Sequence, residues 1–127
     1  SHFELVNFYG MVRTTKAFLP ILKRQVGSSH DSRIINMVSM AGLIVGPQNS
    51  PYNCSKFAAE AFSNCLRLEM KQIGIQVVTI NPSFHETPLT RSMSREASGV
   101  WEALPAATKE EYGEGKSILY SKKWFSL

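Results

Sequence analysis

Three residues in the middle of the chain, Ser39, Tyr52 and Lys56, have the types and the spacing that acid–base chemistry requires. The apolar run at 34–38 predicts a buried strand that ends at Ser39, and a loop containing Gly and Pro then leads to a helix opening at Pro51. Tyr52 and Lys56 are four residues apart, so on a helix they share one face. Open α/β sheets place their ligands at the carboxyl ends of strands. A hydroxyl, a phenol and an ammonium gathered there can orient a substrate oxygen and exchange a proton with it.

The order and spacing of these residues resemble the active-site signature of the short-chain dehydrogenase/reductase family, in which a serine precedes a YxxxK motif, here YNCSK at 52–56. Two flanking stretches are also similar to that family: VNFYG at 6–10 matches the helix with its catalytic asparagine, and IQVVTINPS at 75–83 matches its last nucleotide-contacting strand. The likeness is greatest to the retinol and hydroxysteroid dehydrogenase branch. It implies an α/β fold, namely the catalytic half of a Rossmann-like doubly wound parallel sheet.

The same resemblance implies reversible hydride transfer between NAD or NADP and a retinoid, a steroid or another lipophilic alcohol. Tyr52 would be the acid/base, because a carbonyl that accepts a hydride also needs a proton on its oxygen. A tyrosine is ordinarily a poor base at neutral pH, and positive charge from Lys56 and the oxidised nicotinamide would favour the phenolate. Tyr52 and Lys56 would also contact the cofactor, Lys56 through the ribose hydroxyls. Ser39 would bind the substrate oxygen, and Asn7 would hold a water and the lysine in a proton relay.

Further cofactor contacts are implied at Pro82, Ser83 and Thr87, which correspond to the family's Pro-Gly pair and the threonine after it. Ser83 departs from that pattern, and its Cβ would crowd a backbone that must come close to the nicotinamide. Ordinary structural roles stay open for several of these residues. Ser39 could simply end the strand, Asn7 could be a surface or capping residue, and Thr87 could serve a turn.

Hydrophobic spacing predicts two long helices, at 3–25 and 51–72, the second with Asn49 or Ser50 as its N-cap. Runs rich in β-branched residues predict parallel strands at 34–38 and 75–80, of the kind found in the middle of a sheet that is covered on both faces. Two such strands and their helices could not cover both faces alone. The second helix has a predicted apolar face made of Phe57, Ala58, Ala61, Phe62, Cys65 and Leu66. Because the family commonly pairs these two helices between subunits, the resemblance implies a possible homo-oligomer through 3–25 and 51–72.

The chain divides into a catalytic part, 1–82, and a region at 83–127 that the resemblance identifies as a substrate-binding lid. There, weaker patterns predict a short helix at 90–97 and a helical turn at 108–112 capped by Thr108. The pattern that resembles the retinol and hydroxysteroid branch consists of Trp101, Leu104, Pro105, Lys109, Tyr112 and Gly113. Substrate contact and core packing are equally open for Trp101 and Leu104. The basic and aromatic end, 121–127, either contacts a membrane surface or is an element cut short.

Composition is typical of a globular domain, with 43% hydrophobic and 19% charged residues. No apolar run approaches the ~20 residues of a membrane span, and no signal-peptide pattern is present. The net charge of +4 is scattered, which argues against nucleic acid as a partner. The histidines lack metal-binding spacing. Cys54 and Cys65 would lie about 16 Å apart on one helix, too far for a disulfide. They are predicted to be reduced structural cysteines in a reducing compartment. The sequence leaves the localisation open between the cytoplasm and the cytosolic surface of the endoplasmic reticulum.

A glycine-rich phosphate-binding loop is missing from the sequence before the first predicted helix, although a dinucleotide fold needs one. Roughly 100 residues, about three βα units, would be expected upstream of this point. We therefore predict the carboxyl-side portion of a dehydrogenase, inactive as 127 residues alone. The choice between NAD and NADP would lie in the upstream part. The alternative is a non-catalytic fragment or truncated isoform that acts only by association, and cofactor binding distinguishes the two.

Overall fold

The computed structural model describes residues 2–28, 32–46, 49–83 and 85–112, within two compact units, Ser1–Ser83 and Phe84–Leu127. The first unit contains a π-helical segment, Glu4–Gly10, which continues into α1, Met11–Gln25. It then has β1 (Arg33–Met37), a 3-10 turn (Met40–Gly42), α2 (Ser50–Lys71) and β2 (Gln76–Ile80). The second unit has α3 (Pro88–Ala103) and α4 (Ala106–Tyr112). The α/β fold class predicted from the sequence is confirmed.

Strands β1 and β2 pair in parallel, from Arg33 opposite Gln76 to Met37 opposite Ile80. Parallel neighbours need a crossover connection, and α2 supplies it, so the chain forms a βαβ unit here. Both predicted strands are present, and each lies within about a residue of its expected bounds. The carboxyl ends of the strands consequently meet at one edge of the sheet.

A hydrophobic core lies between the inner face of this sheet and the helices. Its buried members are Leu66 and Met70 of α2, Ile75, and Val77 of β2, and partly buried residues surround them: Leu19, Leu22, Ile34 and Phe62. Ile75 is 2% exposed and is the largest fully buried side chain. These contacts fix α2 against β2 and thereby set the position of the helix that carries Tyr52 and Lys56.

The outer face of the two strands is exposed, which agrees with the expectation that two strands and their helices alone cannot cover both faces. Ile35 and Met37 of β1 share this face with Val78 and Ile80 of β2, and they are between 39% and 56% exposed. Alternate residues of a strand point to opposite faces, so the β-branched run places half of its apolar side chains here. Helices α1 and α2 both pack on the inner face and contribute to the core there. The outer face is left uncovered by the described residues of the first unit.

Helix α2 buries its predicted apolar face only in part: Leu66 and Phe62 contribute to the core, but the most deeply buried stripe consists of other residues. Ser55, Ala59 and Ser63 are fully buried, whereas Phe57 and Cys65 of the predicted face are exposed. Small side chains at a spacing of four let another backbone approach closely, and the π-helical segment Glu4–Gly10 contacts α2. Apolar spacing alone did not reveal this, because the buried stripe is largely polar by residue type. Both cysteines are free, and because both are exposed, the prediction that they are structural is wrong.

The loop after β1 lies directly against α2. The side-chain amide of Asn53 donates 3.0 Å hydrogen bonds to the carbonyls of Ala41 and Ile44. At Gly42 the fit is so close that a Cβ would lie 2.8 Å from the carbonyl oxygen of Lys56. A glycine is therefore required where the loop that follows Ser39 meets the turn of α2 that carries Lys56.

The described part of the second unit, 85–112, contains two helices, and both differ from the sequence prediction. Helix α3 spans Pro88–Ala103 and is longer than the predicted 90–97, because no proline interrupts it before Pro105 and the helix continues through Gly99. Thr108 does not cap α4: the N–H of Lys109 bonds to the carbonyl of Pro105, so the helix begins before Thr108. Gly113 and the aromatic end at 121–127 lie outside the described residues. None of the helices in the described ranges is long and apolar enough to span a membrane.

Replacing Ser63 by Ala should destabilise the fold. The buried amide of Asn36 donates a 2.9 Å hydrogen bond to Ser63 Oγ, and the substitution leaves that donor without its acceptor. We expect the free energy of unfolding to fall by about 1–3 kcal/mol, measured by urea denaturation. The exposed Ser50→Ala on the same helix is the control. Equal effects of the two substitutions would contradict the assigned role of the hydrogen bond.

Substituting Gly42 by Ala should push the Ser39 loop away from α2, because the added Cβ meets the Lys56 carbonyl and Val38 Cγ1 at 2.8 and 3.1 Å. The expected destabilisation is about 1–3 kcal/mol, read from thermal unfolding. Gly46 provides a matched control in the same loop, since a Cβ there has no atom within 4 Å. A Gly42→Ala variant as stable as Gly46→Ala would disprove the close approach.

Candidate active site

Ser39 lies just after β1, where hydrogen bonds join the ends of the two strands. The N–H of Val38 bonds to the carbonyl of Ile80 at 2.9 Å, and the N–H of Met40 bonds to the carbonyl of Pro82 at 3.1 Å. Between them, the N–H of Ser39 donates to Asn81 Oδ1 at 3.1 Å. Three successive backbone donors are thus bound to the end of β2, so the Ser39 peptide is held in place at the sheet edge.

The Ser39 hydroxyl is half-buried and accepts a 3.1 Å hydrogen bond from the N–H of Ala41. A hydroxyl carries one donor and two lone pairs. The bond from Ala41 uses one lone pair and orients the oxygen, and the O–H remains able to donate to a ligand. Ser39 therefore does cap the turn that follows the strand, and this role is compatible with binding a substrate oxygen.

Tyr52 and Lys56 lie on one face of α2, as their spacing predicts. Lys56 Nζ is 5.7 Å from the centroid of the Tyr52 ring, within the range of a cation–π contact. Burial lowers the pKa of the Lys56 ammonium below its ordinary value, because removal of water disfavours the charged form. The ring of Phe3 meets the Tyr52 ring edge-on, with centroids 5.6 Å apart. The phenol is thus held between an aromatic edge and a partly desolvated cation.

Asn7 lies in the middle of the π-helical segment, and its Nδ2 donates a 3.1 Å hydrogen bond to Ser55 Oγ. Ser55 in turn donates to the carbonyl of Tyr52 at 2.7 Å. The structure therefore places Asn7 against the turn of α2 between Tyr52 and Lys56. Short π-helical insertions frequently occur at functional sites. A role for Asn7 in a proton relay stays a prediction.

The predicted cofactor residues fall into different parts of the chain. Pro82 is half-buried, and its carbonyl holds the loop after Ser39 through Met40. Ser83 is exposed at the end of the first unit. Thr87 belongs to the second unit, where its carbonyl accepts from the N–H of Arg91 at the start of α3. The first unit thus brings Asn7, Ser39, Tyr52, Lys56 and Pro82 into one region, and Thr87 is described only within its own unit.

Several supporting residues were not found from the sequence. They are Phe3 beside Tyr52, Ser55 beside Asn7, Asn53 against the loop after β1, Asn81 at the end of β2, and Glu60 of α2, which is hydrogen-bonded to Asn81. One of them carried a usable signal: Asn81 is a polar residue at the carboxyl end of a strand, where ligand sites form. Within the described ranges, no group of three potential ligands (His, Cys, Asp or Glu) is placed to hold a metal ion.

The first unit offers a hydroxyl donor on the loop after β1, and a phenol beside an ammonium on α2. In general, a serine hydroxyl can bind a substrate oxygen, a phenol can exchange a proton with it, and a nearby positive charge favours the phenolate. Such an arrangement suits the interconversion of an alcohol and a carbonyl compound.

Comparison with known proteins finds relatives among dehydrogenases. The mitochondrial D-beta-hydroxybutyrate dehydrogenase of Rattus norvegicus is 41% identical over 113 residues, which cover 86% of this chain and 32% of the relative. Retinol dehydrogenase 5 of Mus musculus is 38% identical over 111 residues, covering 86% of this chain and 33% of the relative. The chain therefore spans about a third of the length of these curated relatives.

Among solved structures, a short chain dehydrogenase from Burkholderia cenocepacia J2315, in complex with NADP, is similar with a TM-score of 0.60 and 28% identity. The match covers 68% of this chain and 35% of that one. The family model described as short chain dehydrogenase matches residues 3–98, well over half of the chain. This chain belongs to the short-chain dehydrogenase family.

Proposed function

We propose that this chain carries the catalytic residues of an NAD(P)-dependent oxidoreductase that interconverts a lipophilic alcohol and its carbonyl compound. The observation that carries the proposal is the placement of Lys56 Nζ 5.7 Å from the centroid of the Tyr52 ring, on the helix against which the Ser39 loop packs. Family membership supports the same reaction class, and the NADP complex of the Burkholderia cenocepacia relative supports the cofactor class.

In this proposal Tyr52 is the acid/base. When an alcohol is oxidised, the Tyr52 phenolate takes the hydroxyl proton, and in reduction the phenol returns a proton to the carbonyl oxygen. The Ser39 hydroxyl donates to the same oxygen and fixes its position, which its bond from Ala41 makes possible. The Lys56 ammonium stabilises the negative phenolate. Asn7, whose amide donates to Ser55 Oγ, would extend the proton path from Lys56.

The residues present are compatible with a nicotinamide dinucleotide. Lys56 is a partly desolvated donor suited to ribose hydroxyls, and the half-buried Pro82 lies at the strand end beside Ser39. When bound, the nicotinamide would accept or donate the hydride. The side chain of Ser83 is exposed, so the extra Cβ relative to the family's glycine does not by itself fill the sheet edge. Thr87 would contact the cofactor from the region 83–127, which we propose to be the substrate-binding lid.

A lipophilic substrate is favoured by the loop between Ser39 and Tyr52. Leu43, Ile44 and Val45 are 48%, 53% and 77% exposed, although exposing three consecutive apolar side chains to water is unfavourable. Asn53 holds the backbone of this loop, so the apolar side chains are presented by a fixed support. An apolar substrate bound near Ser39 would cover them.

Association into a homo-oligomer through 3–25 and 51–72 forms part of the proposal. Both helical regions present large apolar side chains to solvent: Val6, Tyr9, Phe18 and Ile21 on the first, and Phe57 and Leu68 on the second. Exposed apolar surface of this kind typically marks an interaction site.

The proposal is tested by cofactor binding and by turnover. This chain and the longest protein that its gene encodes are titrated with NADH and NADPH by fluorescence, and assayed with retinol, a 3-hydroxysteroid and 3-hydroxybutyrate. We expect the longer protein to bind a cofactor and to oxidise at least one alcohol, and the 127 residues alone to be inactive. Failure of the longer protein to bind either nucleotide would refute the enzyme and favour a non-catalytic protein that acts by association.

Replacing Tyr52 by Phe should remove the acid/base and leave the fold intact. We expect kcat to fall by about 10²–10⁴-fold, the contribution of general acid–base catalysis, while cofactor affinity changes little. Single-turnover measurement with the active alcohol separates the two effects. The exposed Tyr9→Phe is the matched control. Retention of wild-type kcat in Tyr52→Phe would eliminate Tyr52 as the acid/base.

The pH dependence of oxidation should report the charge of Lys56. Its ammonium is charged below its pKa and neutral above it, and burial lowers that pKa. We therefore expect kcat/KM to fall on the alkaline side at a pH below the ordinary lysine range. In Lys56→Arg the charge persists, and this alkaline limb should shift upward whatever the loss in kcat. The exposed Lys71→Arg on the same helix should keep the wild-type profile, and an unchanged profile in Lys56→Arg would contradict the assignment.

A further inference from the structure

The side chain of Asn81 connects three parts of the first unit. Asn81 follows β2 directly, its Oδ1 accepts from the N–H of Ser39 at 3.1 Å, and its Nδ2 donates to Glu60 Oε2 at 3.3 Å. Glu60 lies on α2, one turn beyond Lys56. A single amide thus joins the end of β2, the peptide of Ser39 and the helix that carries Tyr52 and Lys56.

The chemistry of the two partners fixes how the amide is oriented. The N–H of Ser39 can only donate, and the ionised Glu60 carboxylate can only accept. The Asn81 amide satisfies both in one orientation alone, with Oδ1 toward Ser39 and Nδ2 toward Glu60. The carboxylate therefore selects the orientation that presents an acceptor to Ser39.

Glu60 is itself held in position. Its Oε1 accepts from Asn64 Nδ2 at 3.4 Å, and Asn64 Oδ1 accepts from Nη1 of Arg67. Arg67 also donates from Nε to the carbonyl of Val77 at 2.9 Å. A continuous series of hydrogen bonds therefore runs along α2 from the carbonyl of Val77 in β2 to Asn81 at the end of β2. It ends at the peptide N–H of Ser39. Each link restricts the next, so Glu60 acts from a supported position.

We propose that Asn81 and Glu60 are positioning residues for the reaction, setting the distance between Ser39 and the pair Tyr52 and Lys56. Neither residue touches the reacting atoms. They hold the Ser39 peptide to the same helix that carries the acid/base, so that hydroxyl and phenol reach one substrate oxygen together. The inference rests on the proposed dehydrogenase function and deepens it, since positioning errors near 1 Å can cost about 100-fold in rate.

An exchange of polar groups tests this role. In Asn81→Asp the new carboxylate can still accept from Ser39 but cannot donate to Glu60, and the two like charges repel. We expect kcat to fall by about 10- to 100-fold, with KM for the nicotinamide nucleotide changed far less. Adding Glu60→Gln supplies an amide that donates to the carboxylate at position 81 and still accepts from Asn64. The double variant should recover most of the lost kcat.

The control combines Asn81→Asp with Glu69→Gln, because Glu69 is an exposed residue of α2. This combination should recover none of the lost kcat. Thermal unfolding is measured for every variant of the longest protein that the gene encodes. If Asn81→Asp does not fold, Glu60→Gln alone is the test, since its amide no longer selects the orientation of Asn81. It should lower kcat severalfold with KM nearly unchanged, and wild-type kcat there overturns the inference.

The possible outcomes separate this inference from the function on which it rests. A wild-type protein that oxidises no alcohol with either nucleotide refutes the dehydrogenase function, and the positioning role with it. An active wild type whose Asn81→Asp variant keeps its kcat refutes only the positioning role. The same holds if the Glu69→Gln combination recovers activity as well as the Glu60→Gln combination does. The inference is supported if kcat recovers when Asn81→Asp is combined with Glu60→Gln and does not recover when it is combined with Glu69→Gln.

Discussion

The close packing of the small buried stripe of α2 is the constraint on which the rest of the first unit depends. Ser55, Ala59 and Ser63 have no exposed surface, and their size lets other backbones come near the helix. Ser55 receives the amide of Asn7, and Ser63 receives that of Asn36 on β1. Larger residues on this stripe would separate the π-helical segment and β1 from α2. The same short side chains that permit the approach also accept the hydrogen bonds that fix it, so spacing and orientation are set together.

The sequence was sufficient for the parts of the site that follow from local spacing. Tyr52 and Lys56 share a face because they are four residues apart on a helix, and Ser39 follows a β-branched run that forms β1. The sequence prediction failed where tertiary contacts determine which residues are buried. Periodicity favoured Phe57 over Ser55 as a core residue, because hydrophobicity was used as the guide to burial and the closest packing here uses small polar residues. No local sequence pattern predicts the seven residues of π-helix around Asn7 either.

Contacts between residues far apart in the sequence could not be predicted from the sequence either. Asn81 was predicted to be no more than the end of a strand, yet its amide reaches Ser39, 42 positions away. The amide of Asn53 could not be assigned to the loop carbonyls until the path of that loop was known. A local capping pattern is present at Thr108, but the helix begins before it. The carbonyl of Pro105 accepts the first helical hydrogen bond, from the N–H of Lys109. Sequence patterns indicate the candidate reactive groups, but they do not indicate which groups position them.

Burial of Lys56 links the packing to the chemistry. Partial removal of water makes its ammonium costly to keep charged, and this is why its pKa is lowered. The same removal of water strengthens the attraction between the charge and a nearby electron-rich ring, because screening is weaker in such surroundings. Asn53, Gly42 and Ser55 bring the loop and the π-helical segment against α2 near Lys56, so they contribute to the environment in which that charge acts. Loosening these contacts would admit water, and the influence of the lysine on Tyr52 would weaken even with every reactive residue still in place.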